Sequence, residues 1–107
     1  MSIIEEATKI FRKEPTINNF VGDRITVCGD VHGQWRDMQT IFALNGGPSA
    51  SNPYLFNGDF VDRGPHSLKC MLTLLEQNIA DPDSIFLNRG NHEFPEMNAY
   101  YGFRAEL

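Results

Sequence analysis

Apolar residues along this chain fall into successive blocks whose spacing alternates between helical and extended. Ile3, Ile4, Ala7, Ile10 and Phe11 recur on one helix face, which predicts a helix over 2–13. Pro15 ends it, because the residue before a proline is pushed out of helical geometry. A polar connection around Asn18-Asn19 and a turn at Gly22-Asp23 lead into the first strand, residues 25–28. Trp35, Met38, Ile41 and Phe42 predict a second helix over about 34–45, stopped by Asn45-Gly46-Gly47-Pro48. Residues 54–57 form the second strand. Pro65 suits the first turn of a third helix, 66–79, with Leu68, Met71, Leu72, Leu75 and Ile79 turned inward. Asp81-Pro82-Asp83 turns the chain into a third strand, 84–88, and Pro95 to Tyr101 reads as another short helix.

The order α-β-α-β-α-β defines an α/β fold with parallel strands and right-handed crossovers. If sheet order follows sequence order, both crossover helices lie on one face. The other face then needs a further layer, because parallel sheets are normally buried on both sides. Some of Ile25, Val27, Leu55, Ile85 and Leu87 are expected to form that open apolar face, which favours association or a molten state. The chain therefore reads as part of a larger fold.

Its 107 residues suffice for one small domain. A net charge of -5 argues against a nucleic-acid partner bound through a basic surface. Every apolar run is broken well short of a membrane span, so no membrane partner is expected. Glu5 and Glu6 stand where a secretory signal needs basic residues, which makes a cytoplasmic or nuclear location the default expectation. Cys28 and Cys70 read as two buried thiols behaving as small hydrophobes.

Each predicted strand ends in a loop of polar residues between or beside glycines. These are Gly29-Asp30-Val31-His32-Gly33, Gly58-Asp59-Phe60-Val61-Asp62-Arg63-Gly64 and Arg89-Gly90-Asn91-His92-Glu93. From Asp30 to Asp59 is 29 positions and from Asp59 to Asn91 is 32, about one βαβ unit each. Singly, each has a bland reading. Gly29-Asp30 is a turn, Asp62 a helix cap, His92 a surface histidine, and Arg63 and Arg89 solvated charges. His66 reads as an exposed residue at a helix start. Three such loops after three strands favour a site at the carboxyl ends of the strands.

Asp30, His32, Asp59 and Asn91 offer carboxylate, imidazole and amide oxygen. That set suits Mn, Fe or Zn better than the all-oxygen shells of Ca or Mg. A carboxylate at Asp59 can bridge two ions about 3.5–4 Å apart. Arg63 is the first candidate to hold a phosphate by paired hydrogen bonds, and Arg89 the second. His92 is the natural proton donor to a leaving alkoxide, with Asp62 fixing its tautomer.

At these residues the sequence resembles the phosphoprotein phosphatase family, the metal-dependent serine/threonine protein phosphatases. The three signatures Gly-Asp-x-His-Gly, Gly-Asp-x-Val-Asp-Arg-Gly and Gly-Asn-His-Glu stand at 29–33, 58–64 and 90–93 without a substitution. The similarity runs from about Ile3 to the end and includes Tyr101-Gly102-Phe103. It implies a calcineurin-like metallophosphoesterase fold, a β-sandwich flanked by helices, of which this chain carries the βαβαβ portion. It implies two divalent metal ions (Mn, Fe or Zn), the first on Asp30, His32 and Asp59, the second on Asp59, Asn91 and two later histidines. It also implies Arg63, Asn91 and His92 as phosphate contacts, His92 as the acid and Asp62 as its orienting partner.

The activity so implied is hydrolysis of phosphoserine and phosphothreonine by metal-activated hydroxide. Phosphoproteins are the substrates, and a regulatory domain or subunit is a further partner. The alternatives are a related phosphoesterase acting on dinucleoside polyphosphates or other small phosphates, or a non-catalytic fragment. The stretch Asn52 to Phe60 resembles two branches, the type-five phosphatases and the EF-hand-containing phosphatases, and Leu87-Asn88-Arg89 leans to the second. Gln34-Trp35-Arg36-Asp37 departs mildly from the family's usual Gln-Phe-Tyr-Asp. Residues 1–107 correspond to the N-terminal portion of such a catalytic domain, before its two further metal histidines, and are expected to lack turnover alone.

Overall fold

Three short parallel strands carry the functional loops. The computed structural model describes residues 2–107. Its elements are α1 (Ile3–Arg12), β1 (Thr26–Cys28), α2 (Trp35–Asn45), β2 (Tyr54–Phe56), α3 (Ser67–Ala80), β3 (Ile85–Leu87), α4 (Pro95–Tyr101) and α5 (Phe103–Glu106). Helix α1 begins in a capping box, where the Ser2 hydroxyl accepts from Glu5 N and the Glu5 carboxylate accepts from Ser2 N. Glu5 and Glu6 in its first turn and Lys9 and Arg12 in its last complement the helix dipole. Helix α2 stops at Asn45, followed by Gly46 at φ 81°, a conformation glycine adopts without penalty.

The sheet order is β1-β2-β3, and both pairings are parallel. Register aligns Thr26, Tyr54 and Ile85 in one row and Cys28, Phe56 and Leu87 in another. Both rows share one face, because side chains two apart point the same way. That face is the core. Cys28, Tyr54, Phe56 and Ile85 are buried there with Met38 of α2 and Cys70 and Leu74 of α3. The Phe42 ring meets Tyr54 edge-on at 5.2 Å and Phe56 at 6.2 Å. Each such side chain, fully buried, contributes about 1.5–3 kcal/mol of transfer free energy.

Three expectations about faces need correction. Ile85 and Leu87 belong to the covered face, since Ile85 is fully buried and Leu87 packs against the core. The open face carries Val27, which is 64% exposed, and the half-buried Leu55, both among the residues expected there, together with the half-buried Phe86. Phe20, from the connection before β1, reaches the Phe86 ring at 5.7 Å. Ile4 lies outside the α1 contact and is exposed. On α3 the buried residues are Ser67, Cys70, Leu74, Leu75 and Asn78, while Leu68, Leu72 and Ile79 are only half-buried. The helix is shared between the sheet on one side and α1 on the other. With apolar residues on both flanks, periodicity alone does not rank them.

Helix α5 was not foreseen, and it has a structural task. His66, exposed at the start of α3, makes no side-chain cap. The Glu106 carboxylate supplies one instead, accepting from Ser67 N at 3.0 Å and Leu68 N at 2.5 Å. Cys28 and Cys70 are free and buried, as expected. Burial, with Glu106 nearby, pushes the Cys70 thiol up to about 11.

Candidate metal and phosphate site

The three glycine-flanked loops leave the carboxyl ends of β1, β2 and β3; the first two are joined through their backbones and the third through side chains. Val31 N and His32 N both donate to Asp59 O at 3.0 Å, and Gly33 N donates to Phe60 O at 2.9 Å. Four residues that are not glycine take positive φ here: His32 (44°), Asp59 (57°), Asp62 (70°) and Arg63 (69°). Each such residue costs on the order of 1 kcal/mol or more, and all four are among the residues singled out for chemistry. Gly90 permits a close approach between the second and third loops. A Cβ at that position would collide with the Asp59 carboxylate.

Asp30, His32 and Asp59 bring one ligand atom each to within 4.8 Å of one another. The His32 tautomer follows from its partner. Nδ1 lies 2.9 Å from Val61 O, and a carbonyl only accepts, so Nδ1 carries the proton. In the neutral ring Nε2 then keeps its lone pair, 3.5 Å from Asp30 Oδ2. This is how a metal-binding histidine is usually oriented.

The Asn91 amide stands 3.0 and 3.2 Å from the two Asp59 oxygens. With nitrogen inward it donates to that carboxylate. With oxygen inward two acceptors meet, and a cation between them stabilises that arrangement. The four donors, carboxylate, imidazole, carboxylate and amide, therefore fit a divalent metal ion. Among the described residues, Asp30, His32 and Asp59 form one complete three-donor cluster, while Asn91 and Asp59 supply two donors on their side.

Beside the cluster stands a buried pair. His92 Nδ1 is 2.9 Å from Asp62 Oδ2, and both residues are nearly inaccessible. Asp62 also accepts from Asn98 Nδ2 at 3.1 Å and from Phe103 N at 2.9 Å. Burial pushes the Asp62 carboxyl up, but the bonds from His92, Phe103 and Asn98 outweigh it, and the net shift is below the usual carboxylate range. The His92 ring stands 4.7 Å from the His32 ring and 5.1 Å from the Tyr101 ring. Its backbone N–H donates to Asp59 Oδ1 at 2.9 Å, which ties the pair to the cluster.

The two arginines diverge. The exposed Arg63 guanidinium lies over the Tyr101 ring at 5.2 Å and makes no side-chain hydrogen bond among the described residues. Its N–H groups stay free for an anion. Arg89 donates from Nε to Glu93 O at 3.0 Å and stacks on Phe94 at 4.0 Å, so it serves the third loop.

Sequence reasoning gave no role to Glu93, Asn98, Tyr101 or Phe103. Glu93 had a visible signal, a carboxylate in a loop already singled out. Its partners lie on another loop 33 and 34 positions away, and only the fold brings them together.

Residues 23–107 match the family model described as calcineurin-like phosphoesterase, and the chain belongs to that family. It is 52% identical over 108 residues to Serine/threonine-protein phosphatase T of Trypanosoma brucei brucei, covering 98% of this chain and 23% of that protein. Against human Serine/threonine-protein phosphatase 5 it is 55% identical over 85 residues, 79% of this chain and 17% of that protein. Drosophila melanogaster Serine/threonine-protein phosphatase rdgC is 49% identical over 98% of this chain and 16% of its own length. Among solved structures, a Saccharomyces cerevisiae serine/threonine phosphatase described as similar to human PP5 superposes with TM-score 0.90 at 46% identity. That match covers 97% of this chain and 35% of the other. The chain thus spans about a quarter or less of the length of these curated relatives.

Proposed function

We propose that residues 1–107 form the N-terminal portion of a serine/threonine protein phosphatase catalytic domain, hydrolysing phosphoserine and phosphothreonine esters. The observation that carries this reading is the carboxylate-held His92 ring 4.7 Å from the metal-facing His32 ring. Asp30, His32 and Asp59 would hold one divalent ion, and Asp59 with Asn91 would contribute to a second, of Mn, Fe or Zn. When bound, such ions acidify a shared water and neutralise phosphate charge. Every other part belongs to the chain. Arg63 presents unpaired N–H donors to two phosphate oxygens, a planar geometry that lysine lacks. Asn91 and His92 contact the phosphate beside it.

His92 then gives its Nε2 proton to the departing serine or threonine oxygen, while Nδ1 stays on Asp62. The depressed Asp62 carboxyl keeps its charge at neutral pH, so it supports an imidazolium without taking the proton. Phosphoproteins are the substrates in this reading, and a regulatory domain would lie in the length the relatives carry beyond this match.

The test has two arms. Residues 1–107 with Mn(II), assayed on a phosphopeptide and on p-nitrophenyl phosphate, are expected to match an Asp30→Asn background. Fused to the remaining length of the yeast neighbour, the same residues are expected to turn over the phosphopeptide in preference to a dinucleoside tetraphosphate. Preference for the dinucleotide would move the protein to the small-phosphate esterases. An inactive, folded and metal-loaded fusion would remove the catalytic reading.

A further inference from the structure

The carboxylate of Glu93 is the junction of two ligand loops. Its Oε2 accepts from Asp59 N at 2.8 Å and from Gly90 N at 2.7 Å. Its Oε1 accepts from Phe60 N at 2.7 Å. Three short bonds from backbone donors to one charged group are strong in a half-buried setting. They fix the peptide that carries Asp59, a residue held at positive φ, and the glycine immediately before Asn91. Arg89 in turn donates to the Glu93 carbonyl and stacks on Phe94, which steadies Glu93 from outside.

We propose that Glu93 is a positioning residue, one that sets the separation of Asp59 and Asn91 and so the affinity of the metal centre, without touching ion or phosphate. This rests on the metal reading given above. No other side chain among the described residues accepts from the Asp59 and Gly90 amides; the remaining ties between the two loops, His92 N to Asp59 Oδ1 and His92 Nδ1 to Asp62, leave those amides unheld. A neutral isostere cannot replace it. In Glu93→Gln one of the two oxygens becomes an NH₂ group, which then faces a backbone N–H, donor against donor.

Glu106 provides an internal control. It too holds two backbone N–H groups, Ser67 N and Leu68 N, at the start of α3, but it bonds no residue of the ligand loops. Loss of a carboxylate clamp in general should affect both sites alike. Loss of a positioning residue should not.

The experiment measures Mn(II) binding by electron paramagnetic resonance and amide exchange by NMR on residues 1–107, wild type, Glu93→Gln and Glu106→Gln. Glu93→Gln is expected to weaken Mn(II) about 10–100-fold, the usual scale for an outer partner of a metal ligand. Its Asp59, Phe60 and Gly90 amides should lose protection at least about tenfold while the amides of β1 and β2 keep theirs. Glu106→Gln should lose protection at Ser67 and Leu68 and bind Mn(II) within about twofold of wild type. Equal Mn(II) loss in both variants, or unchanged Asp59 and Gly90 protection in Glu93→Gln, overturns the proposal. A wild-type chain that binds no Mn(II) would refute the metal reading instead, and the exchange data would still decide whether Glu93 clamps the loops.

Discussion

His32 and His92 are neighbours with opposite fittings. Each uses Nδ1 at 2.9 Å, but His32 points it at the carbonyl of Val61 and His92 at the carboxylate of Asp62. A carbonyl fixes a neutral tautomer and adds no charge, which leaves Nε2 as a lone-pair donor to a cation. A buried carboxylate stabilises an imidazolium, which leaves Nε2 able to hold and release a proton. In the proposed function, two rings 4.7 Å apart would thus divide ligation and proton transfer between them. The lesson is that the partner of the hidden nitrogen, rather than the histidine itself, assigns the role.

The largest effect should come from Asp59, which faces both sides of this division. Its carboxylate joins the Asp30–His32 cluster and accepts from His92 N. Asp59→Asn in the fused, full-length protein should abolish turnover and weaken metal retention, a loss of several kcal/mol of transition-state stabilisation. Near-normal turnover with both ions bound would remove the bridging role.

Next comes the acid. His92→Ala should lower turnover of a serine phosphopeptide by about 10²–10⁴-fold and of p-nitrophenyl phosphate by much less, because phenolate departs without a proton. Metal binding should stay near wild type, whereas His32→Ala should lose it. Equal losses on both substrates would make His92 a binder or a structural residue.

The smallest effect concerns the partner. Asp62→Asn should cost the fold about 1.5–3 kcal/mol at pH 7, the scale of hydrogen bonds to a charged group. Since the folded Asp62 carboxyl lies below its ordinary value of 3.8, its contribution is fully present above that pH and is lost as pH falls through the folded value. The stability gap between wild type and variant, measured by urea unfolding, should hold between pH 7 and 5 and close below about 4. A constant gap down to pH 3 would mean that Asp62 charge does not hold His92.

Much of this was legible in the chain because the strands are short and each ends in glycine-bounded polar residues. The order of elements, the parallel sheet, the Asp30–His32–Asp59 cluster and the Asp62–His92 pair all follow that pattern in space. Element bounds differ by a residue or two, as they do wherever helix and strand ends fray. What stayed hidden depended on approach between distant segments. Glu93 spans two loops, Phe103 N reaches Asp62 from α5, and Glu106 caps a helix begun 39 positions earlier. The faces of Ile85 and Leu87 were hidden for another reason. Three-residue strands of continuous apolar character give no alternation to read.

The division between the two histidines is tested most directly by side-chain ¹⁵N NMR of residues 1–107 during a Zn(II) titration at neutral pH. Before metal, His32 should appear as the neutral tautomer with the proton on Nδ1 and a bare Nε2. As Zn(II) is added, the His32 Nε2 resonance should move while Nδ1 keeps its proton, and His92 should keep its Nδ1–Asp62 bond with Nε2 free of metal. Direct Zn(II) coordination by His92 Nε2, or a His32 protonated on Nε2, would contradict the account.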